Sequence, residues 1–143
     1  MNIASVVRSK GRNVVTVTPD APVPDVLERM RGHGIGAVVV SGDGTHVDGM
    51  ISERHIVLGL ARHGEKLLHM RAGQIMGQPL TCRAEDSIKH VMAEMTARRV
   101  RQCPVIEDGK VTAVISLGDI VKYLVDEAEL EGAVLRDRFL ASQ

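Results

Sequence analysis

Ser116 and Asp119 are spaced i, i+3 in the stretch TAVISLGDIV (112–121). Apolar residues lead into the Ser and a paired apolar step follows the Asp, so the pair sits where a strand ends and a helix opens. One chemistry for such a pair is helix capping. The Ser side chain accepts from an early helix N–H, and an acid three residues on suits the positive end of the helix. A second chemistry is ligand binding. A helix amino end with a hydroxyl beside it receives a phosphate, and a carboxylate there accepts from both hydroxyls of a sugar diol, as in dinucleotide folds. Arg98, Arg99 and Arg101 precede the strand expected from Pro104, and a returning strand brings their guanidinium groups toward the same junction. Gly118 lets a ligand approach the backbone. On these residues alone both chemistries stay open.

The same cadence occurs earlier, in VDGMISERHIV (47–57), with His55 where the later copy has Asp119. Met30 aligns with Met95, Val26 with Val91, Ile35 with Val100 and Val40 with Val105. After one deletion Ser52 aligns with Ser116, Ile56 with Ile120 and Leu60 with Leu124. The chain is therefore two copies of one unit, and the copies differ at the position that matters most. A neutral imidazole offers one acceptor where a carboxylate offers about four lone-pair sites, so it cannot chelate a diol. Losing two hydrogen bonds to a charged group, about 1.5–3 kcal/mol each, weakens nucleotide binding by at least about a hundredfold. The first copy is thus expected to be empty or to hold another part of a ligand, with Arg54 placed to take a phosphate.

These residues need a scaffold, and the apolar spacing supplies one. Val23, Val26, Leu27, Met30 and Ile88, Val91, Met92, Met95 each run i, i+3, i+4, i+7, one stripe of a helix. Pro22 and Pro24 suit a first helical turn, and Asp86 is the expected cap of the second helix. Short extended segments at 14–17 and 79–82 precede the helices. Strands follow at 37–40 and 104–106, then turns at 41–44 and 107–110 with the Asp-Gly signal of a hairpin. A returning strand and a second helix complete a β-α-β-β-α unit. The expected division is an N-terminal segment over 1–12, unit one over 13–66, a linker over 67–78, unit two over 79–126 and a C-terminal helix over 127–143. A unit of roughly 55 residues has a marginal core, so the two are expected to pack sheet to sheet, an α/β (α+β) fold with pseudo-twofold symmetry.

The tandem arrangement resembles a pair of CBS domains, the module named after cystathionine β-synthase. The stretch RRVRQCPVIEDGKVTAVISLGDIV (98–121) is similar to that family's apolar-x-x-x-Pro-Val-apolar, turn, Gly-apolar-apolar-Ser/Thr-x-x-Asp signature, and the likeness covers about residues 13–126. The resemblance implies a regulatory sensor that binds an adenosine ligand (AMP foremost, with ATP, ADP or NAD(H) as alternatives) in a cleft between the units. It implies that Asp119 holds the ribose, that Ser116, Leu117 and Gly118 face the α-phosphate, and that Arg101 and Gln102 lie along the phosphates. Val114 would flank the adenine, and Asn13, Val15, Ile35, Gly36 and Ala37 would form the opposite wall, with Lys10 reaching a distal phosphate. The pseudo-equivalent cleft would comprise Met50, Ser52, Arg54 and His55, walled by Thr81, Cys82 and Val100. It further implies a homodimer, non-catalytic and contacting an effector protein. The alternative is an interaction module for dimerisation or partner docking whose clefts are vestigial.

Bulk properties narrow the classes. The 143 residues carry 18 basic and 18 acidic side chains, a formal net charge of +0, so nothing directs the chain to nucleic acid or an anionic membrane. One Phe, one Tyr and no Trp leave no base-stacking platform. Cys82 and Cys103 lack metal or redox spacing and suit a reducing cytoplasm. His33, His46, His63, His69 and His90 show no metal-ligand spacing. No apolar run is long enough to span a membrane, and MNIASVVRSKGRN is too polar for a secretory signal. RGHGIGA (31–37) lacks the phosphate-loop spacing, and no Gly-x-Ser-x-Gly elbow is present, so no enzyme is expected. The tail DEAELEGAVLRDRFLASQ continues helically, with Leu130, Val134, Leu135 and Phe139 available to a partner subunit.

Overall fold

Residues 1–142 are described by a computed structural model. Helix α1 spans Ile3–Lys10, β1 Thr16–Val17, α2 Val23–His33, β2 Ala37–Val40, β3 Gly49–Ser52 and α3 Glu53–His63. A 3-10 helix, Gly64–His69, leads to the short α4, Ala72–Ile75. Then come α5, Ile88–Arg98, β4, Gln102–Glu107, β5, Lys110–Ser116, and α6, Leu117–Ala141. The helical stripes read from the sequence bury as expected: Val23, Val26 and Met30 on α2, and Ile88, Val91 and Met95 on α5.

The first sheet has the order β1-β2-β3, with β1 parallel to β2 and β2 antiparallel to β3. The second pairs β4 with β5 antiparallel. Its counterpart of β1 shrinks to a single parallel bridge, Cys82 to Val105, so the extended segment expected at 79–82 does not form a strand. Asp108 and Gly109 both take positive φ, 52° and 76°, and close β4 and β5 with the expected tight turn. The Asp-Gly at 43–44 does not close a tight hairpin. Asp43 Oδ1 instead accepts from the N–H groups of Thr45 and His46, holding a longer loop before β3. Asp86 is not the cap of α5 either. It accepts from the Arg83 N–H at 2.8 Å and closes the preceding turn, while its neighbour Ser87 accepts from His90 N–H at 3.0 Å.

Alternation along the strands divides the core. Val38, Val40 and Ile51 face α2, whereas Ala37, Val39 and Met50 face away and meet Val111 and Val114 of the second unit. The sheets thus pack on each other, and each unit completes its own core behind its sheet.

Completion depends on segments outside the two repeats. Helix α1 buries Ile3, Val6 and Val7 in the core of the second unit, with Val91, Met95 and Ile115. It is strapped there by Ile3 N–H to the Asp86 carbonyl, 2.9 Å, and Ala4 N–H to the Ala84 carbonyl, 2.8 Å. The first unit is closed in the same way by α4, through Ala72 N–H to the Ala21 carbonyl and Gly73 N–H to the Pro19 carbonyl, both 2.8 Å. Ala72, Ile75 and Met76 pack on that core. Ile3 has no exposed surface, so Ile3→Ala is expected to destabilise the protein by about 2–5 kcal/mol in urea unfolding. A loss below about 1 kcal/mol would show that α1 is not part of the second core.

Candidate functional site

Helix α6 opens with a reciprocal cap. The Ser116 hydroxyl accepts from Asp119 N–H at 3.0 Å, and Asp119 Oδ2 accepts from Ser116 N–H at 2.8 Å. Lys10, the last residue of α1, donates to the same Oδ2 at 2.9 Å and also to the Val114 carbonyl. Asp119 Oδ1 accepts no hydrogen bond among the described residues. Partial burial pushes the Asp119 carboxyl up, but Lys10 and the Ser116 N–H outweigh it and hold the group below the usual carboxylate range.

Asp119 lines a cavity of about 630 Å³ between the units, a size typical of small-molecule sites. Ten residues singled out in the sequence line it: Lys10, Asn13, Val15, Ile35, Gly36, Ala37, Gln102, Val114, Ser116 and Asp119. Three do not. Leu117 N–H is consumed by the Arg101 carbonyl at 2.8 Å, because the pairing of β4 with β5 runs one step into the helix. Gly118 is exposed and off the cavity wall, although its N–H has no partner among the described residues. The Arg101 side chain lines the neighbouring cavity instead. Lys10 is paired with the Asp119 carboxylate itself. Val14, His33 and Gly34 join the lining without having been singled out. The signal for the last two was the glycine-flanked end of α2, where Gly34 takes φ 62° as the helix C-cap.

A second cavity of about 490 Å³ lies across Gly36 and Gln102, which border both. It contains Met50, Ser52, Arg54, His55 and Val100 as expected, with Glu53, Leu58, Arg99 and Arg101 added. Thr81 and Cys82 are not in it; Gln78, Pro79 and Leu80 take their place. The reason is the Cys82 bridge to Val105, which turns the thiol into the second core beside Cys103. Hydrogen bonding with Cys103, reinforced by burial, pushes the Cys82 thiol pKa up and keeps it protonated. Arg98 also stays outside, on α5 within reach of Glu94. Among the described residues Arg54, Arg99 and Arg101 form no salt bridge, so three guanidinium groups surround this cavity uncommitted.

His55 is fixed by the backbone. Ser52 N–H points at His55 Nδ1 at 3.0 Å, and the Ser52 hydroxyl lies 2.8 Å from the same atom. An amide can only donate, so Nδ1 carries the lone pair and Nε2 the proton. Partial burial, with the Arg54 charge beside it, pushes the imidazole below its usual value. The far side of the ring abuts Gly77, where any Cβ would overlap Nε2. His55 is thus a neutral helix cap held in a slot that requires glycine opposite.

The family model for the CBS domain matches residues 6–62 and 72–126. The chain belongs to the CBS domain family. It is 31% identical over 134 residues to the mitochondrial CBS domain-containing protein CBSX3 of Arabidopsis thaliana, covering 87% of this chain and 65% of that protein. Among solved structures it is similar to the CBS-domain containing protein ATU1752 of Agrobacterium tumefaciens, with TM-score 0.80, 35% identity, and coverage of 85% of this chain and 98% of that one. It also shares the fold of PAE2072 from Pyrobaculum aerophilum, a CBS domain protein solved in complex with AMP, at TM-score 0.72 and 20% identity over 83% of this chain and 89% of that one. The CBS pair therefore has the α/β fold of two units packed sheet to sheet. No helix among the described residues is long and apolar enough to cross a membrane, and none of their His, Cys, Asp and Glu side chains cluster as a metal site.

Two measurements probe the His55 slot of the CBS pair. The folded imidazole resists protonation, so the unfolded chain binds the extra proton. The resulting stability is fully present above about pH 6.5, the ordinary histidine value, and is lost as pH falls through the lower folded pKa. Urea unfolding at pH 7.5 and 5.5 is expected to show a steeper loss for wild type than for His55→Gln, and equal slopes would contradict the fixed tautomer. Gly77→Ala is expected to cost about 1–3 kcal/mol by overpacking, and most of that loss should vanish in a His55→Ala background.

Proposed function

We propose that this CBS pair is a regulatory sensor, acting as a homodimer, whose Asp119 cavity binds an adenosine nucleotide, AMP in preference to ATP. The observation that carries the reading is a carboxylate anchored through Oδ2 while Oδ1 stays uncommitted on a cavity wall. Anchoring fixes the acceptor geometry before a ligand arrives, which lowers the ordering cost of binding a ribose diol. Val15, Ile35, Ala37 and Val114 give the adenine an apolar slot. The Ser116 hydroxyl, on the cavity wall at the opening of α6, keeps its proton to donate to a phosphate close to the ribose.

Charge decides between nucleotides. Lys10 is the one Lys or Arg lining the cavity, and Asp119 already neutralises it. A triphosphate would place several negative charges where no free cation waits, whereas a monophosphate needs little more than the helix end. The AMP complex of PAE2072 supports the same ligand class. The neighbouring cavity, lined by three guanidinium groups and a single carboxylate, Glu53, carries an excess of positive charge that suits an anionic group. A dinucleotide such as NAD(H), with its adenosine half at Asp119, is the extended form of the same ligand class.

The cavity wall comes from both units: Asn13 to Val15 and His33 to Ala37 from the first, Gln102, Val114, Ser116 and Asp119 from the second. A ligand touching both restrains their relative position and shifts the population of arrangements that an effector reads. Asp119→Asn keeps an acceptor for the Ser116 N–H and removes the charge. It is expected to weaken AMP binding at least about a hundredfold in calorimetry, with an unchanged circular dichroism spectrum. AMP, ATP and NAD(H) all failing to raise the wild-type melting temperature would favour the interaction module with vestigial clefts.

A further inference from the structure

Helix α6 runs well past the family model, which ends at residue 126. One side carries Val121, Val125, Ala128, Leu135 and Phe139, all exposed, with the partly buried Gly132 among them. These are spaced alternately four and three residues apart, the seam of a coiled coil. Leu135 and Phe139 are 64% and 63% exposed, so the protomer alone leaves the seam uncovered. Leu130 and Val134 project from the opposite side of the helix and do not belong to it.

We propose that the later part of this seam, Ala128 to Phe139, is covered by the same segment of a second copy of the chain, running antiparallel. The proposal deepens the homodimer reading by naming its contact. Three observations select this occupant and direction. In the register that sets Gly132 against the partner's Leu135, Ala128 falls against the partner's Phe139, so the two large side chains of the tail, Leu135 and Phe139, each meet a small one. A parallel pairing would stack Phe139 on itself and leave Gly132 facing Gly132. The same antiparallel register brings Glu129 beside the partner's Arg136 and Glu131 beside the partner's Arg138, four opposite-charge contacts by symmetry. Within the protomer none of these four charged residues forms a salt bridge among the described residues.

Gly132 supplies the third observation. A glycine inside a helix is unfavourable relative to Ala by about 1 kcal/mol. Nothing in its own chain requires it, since a Cβ there would meet no atom within 4 Å. Close approach of the partner's Leu135 gives it a reason.

The test uses the full chain with two single-sign variants, Glu129→Arg/Glu131→Arg and Arg136→Glu/Arg138→Glu. Light scattering and sedimentation should give a wild-type dimer. Each variant alone should raise the dimer Kd at least about tenfold, because attraction becomes repulsion at every contact, and an equimolar mixture of the two should restore it. Spin labels on Asp126→Cys, with Cys82 and Cys103 buried, should lie beyond about 20 Å apart in antiparallel helices, given a rise of about 1.5 Å per residue. Gly132→Ala should raise helix content and still weaken the dimer. A monomeric wild type, an unchanged Kd in both single-sign variants, or a short parallel label distance would overturn the proposal. Nucleotide-induced melting shifts, read separately, report on the Asp119 cavity and are independent of these outcomes.

Discussion

Asp119 Oδ2 accepts from two groups of different origin, the Ser116 N–H on its own helix and the Lys10 ammonium at the far end of α1. The capping box, the ion pair and the placement of α1 therefore form one assembly. Lys10 arrives only because α1 is strapped to the turn at Ala84 and Asp86 and buries Ile3, Val6 and Val7. A carboxylate at that helix position tolerates partial burial because a cation is delivered to it. In the first unit α4 plays the part of α1, but the segment that follows it brings Gly77 to the equivalent position, and glycine carries no charge. A carboxylate at position 55 would be partly buried and would depend on the side chain of Arg54 beside it, with no cation strapped to it by a preceding helix. A neutral imidazole caps the helix through one lone pair and asks for none. The change from Asp to His between the copies thus tracks what the strapping segment delivers.

That difference sorts the two cavities electrostatically. On one side of Gly36 and Gln102 stands an anchored carboxylate with its cation already engaged; on the other stand Arg54, Arg99 and Arg101 with Glu53 as the lone acid. The partition between them is thin. A Cβ at Gly36 would approach Gln102 Nε2 to 2.9 Å, so the amide and the glycine occupy the boundary together. Two chemically distinct compartments sharing two wall residues, Gly36 and Gln102, form an arrangement in which a side-chain movement of Gln102 is felt on both sides.

Much of this was legible in the chain itself. The tandem repeat, the helical stripes, β2 and the β4–β5 turn follow from period and from residue types with narrow backbone preferences. Most of the Asp119 wall followed from the resemblance to the CBS pair. What escaped has physical causes. Arg101 and Gln102 are neighbours in extended backbone, so their side chains diverge, and only the pairing of Gln102 with Ser116 shows which one enters the Asp119 cavity. Thr81 and Cys82 were misplaced because one bridge to Val105 fixes the facing of the segment, and a single bridge leaves no sequence pattern. Asp86 and Ser87 are adjacent residues of equal capping competence, and geometry alone divides the work between them. The destination of α1 was hidden for a deeper reason: an amphipathic stripe states that a face will be buried but not by which core.

The crossing of α1 onto the second unit has a kinetic meaning. The hydrogen bonds and apolar contacts that finish that core join the start of the sequence to residues far along it, from Ala84 to Ile120, and closing so long a loop carries an entropy that must be met before any contact rewards it. Neither unit is a self-sufficient folding element. Cleavage between them would leave the second half with its hydrophobic interior open where Ile3 belongs, and any ordering of that half would have to await its return in trans.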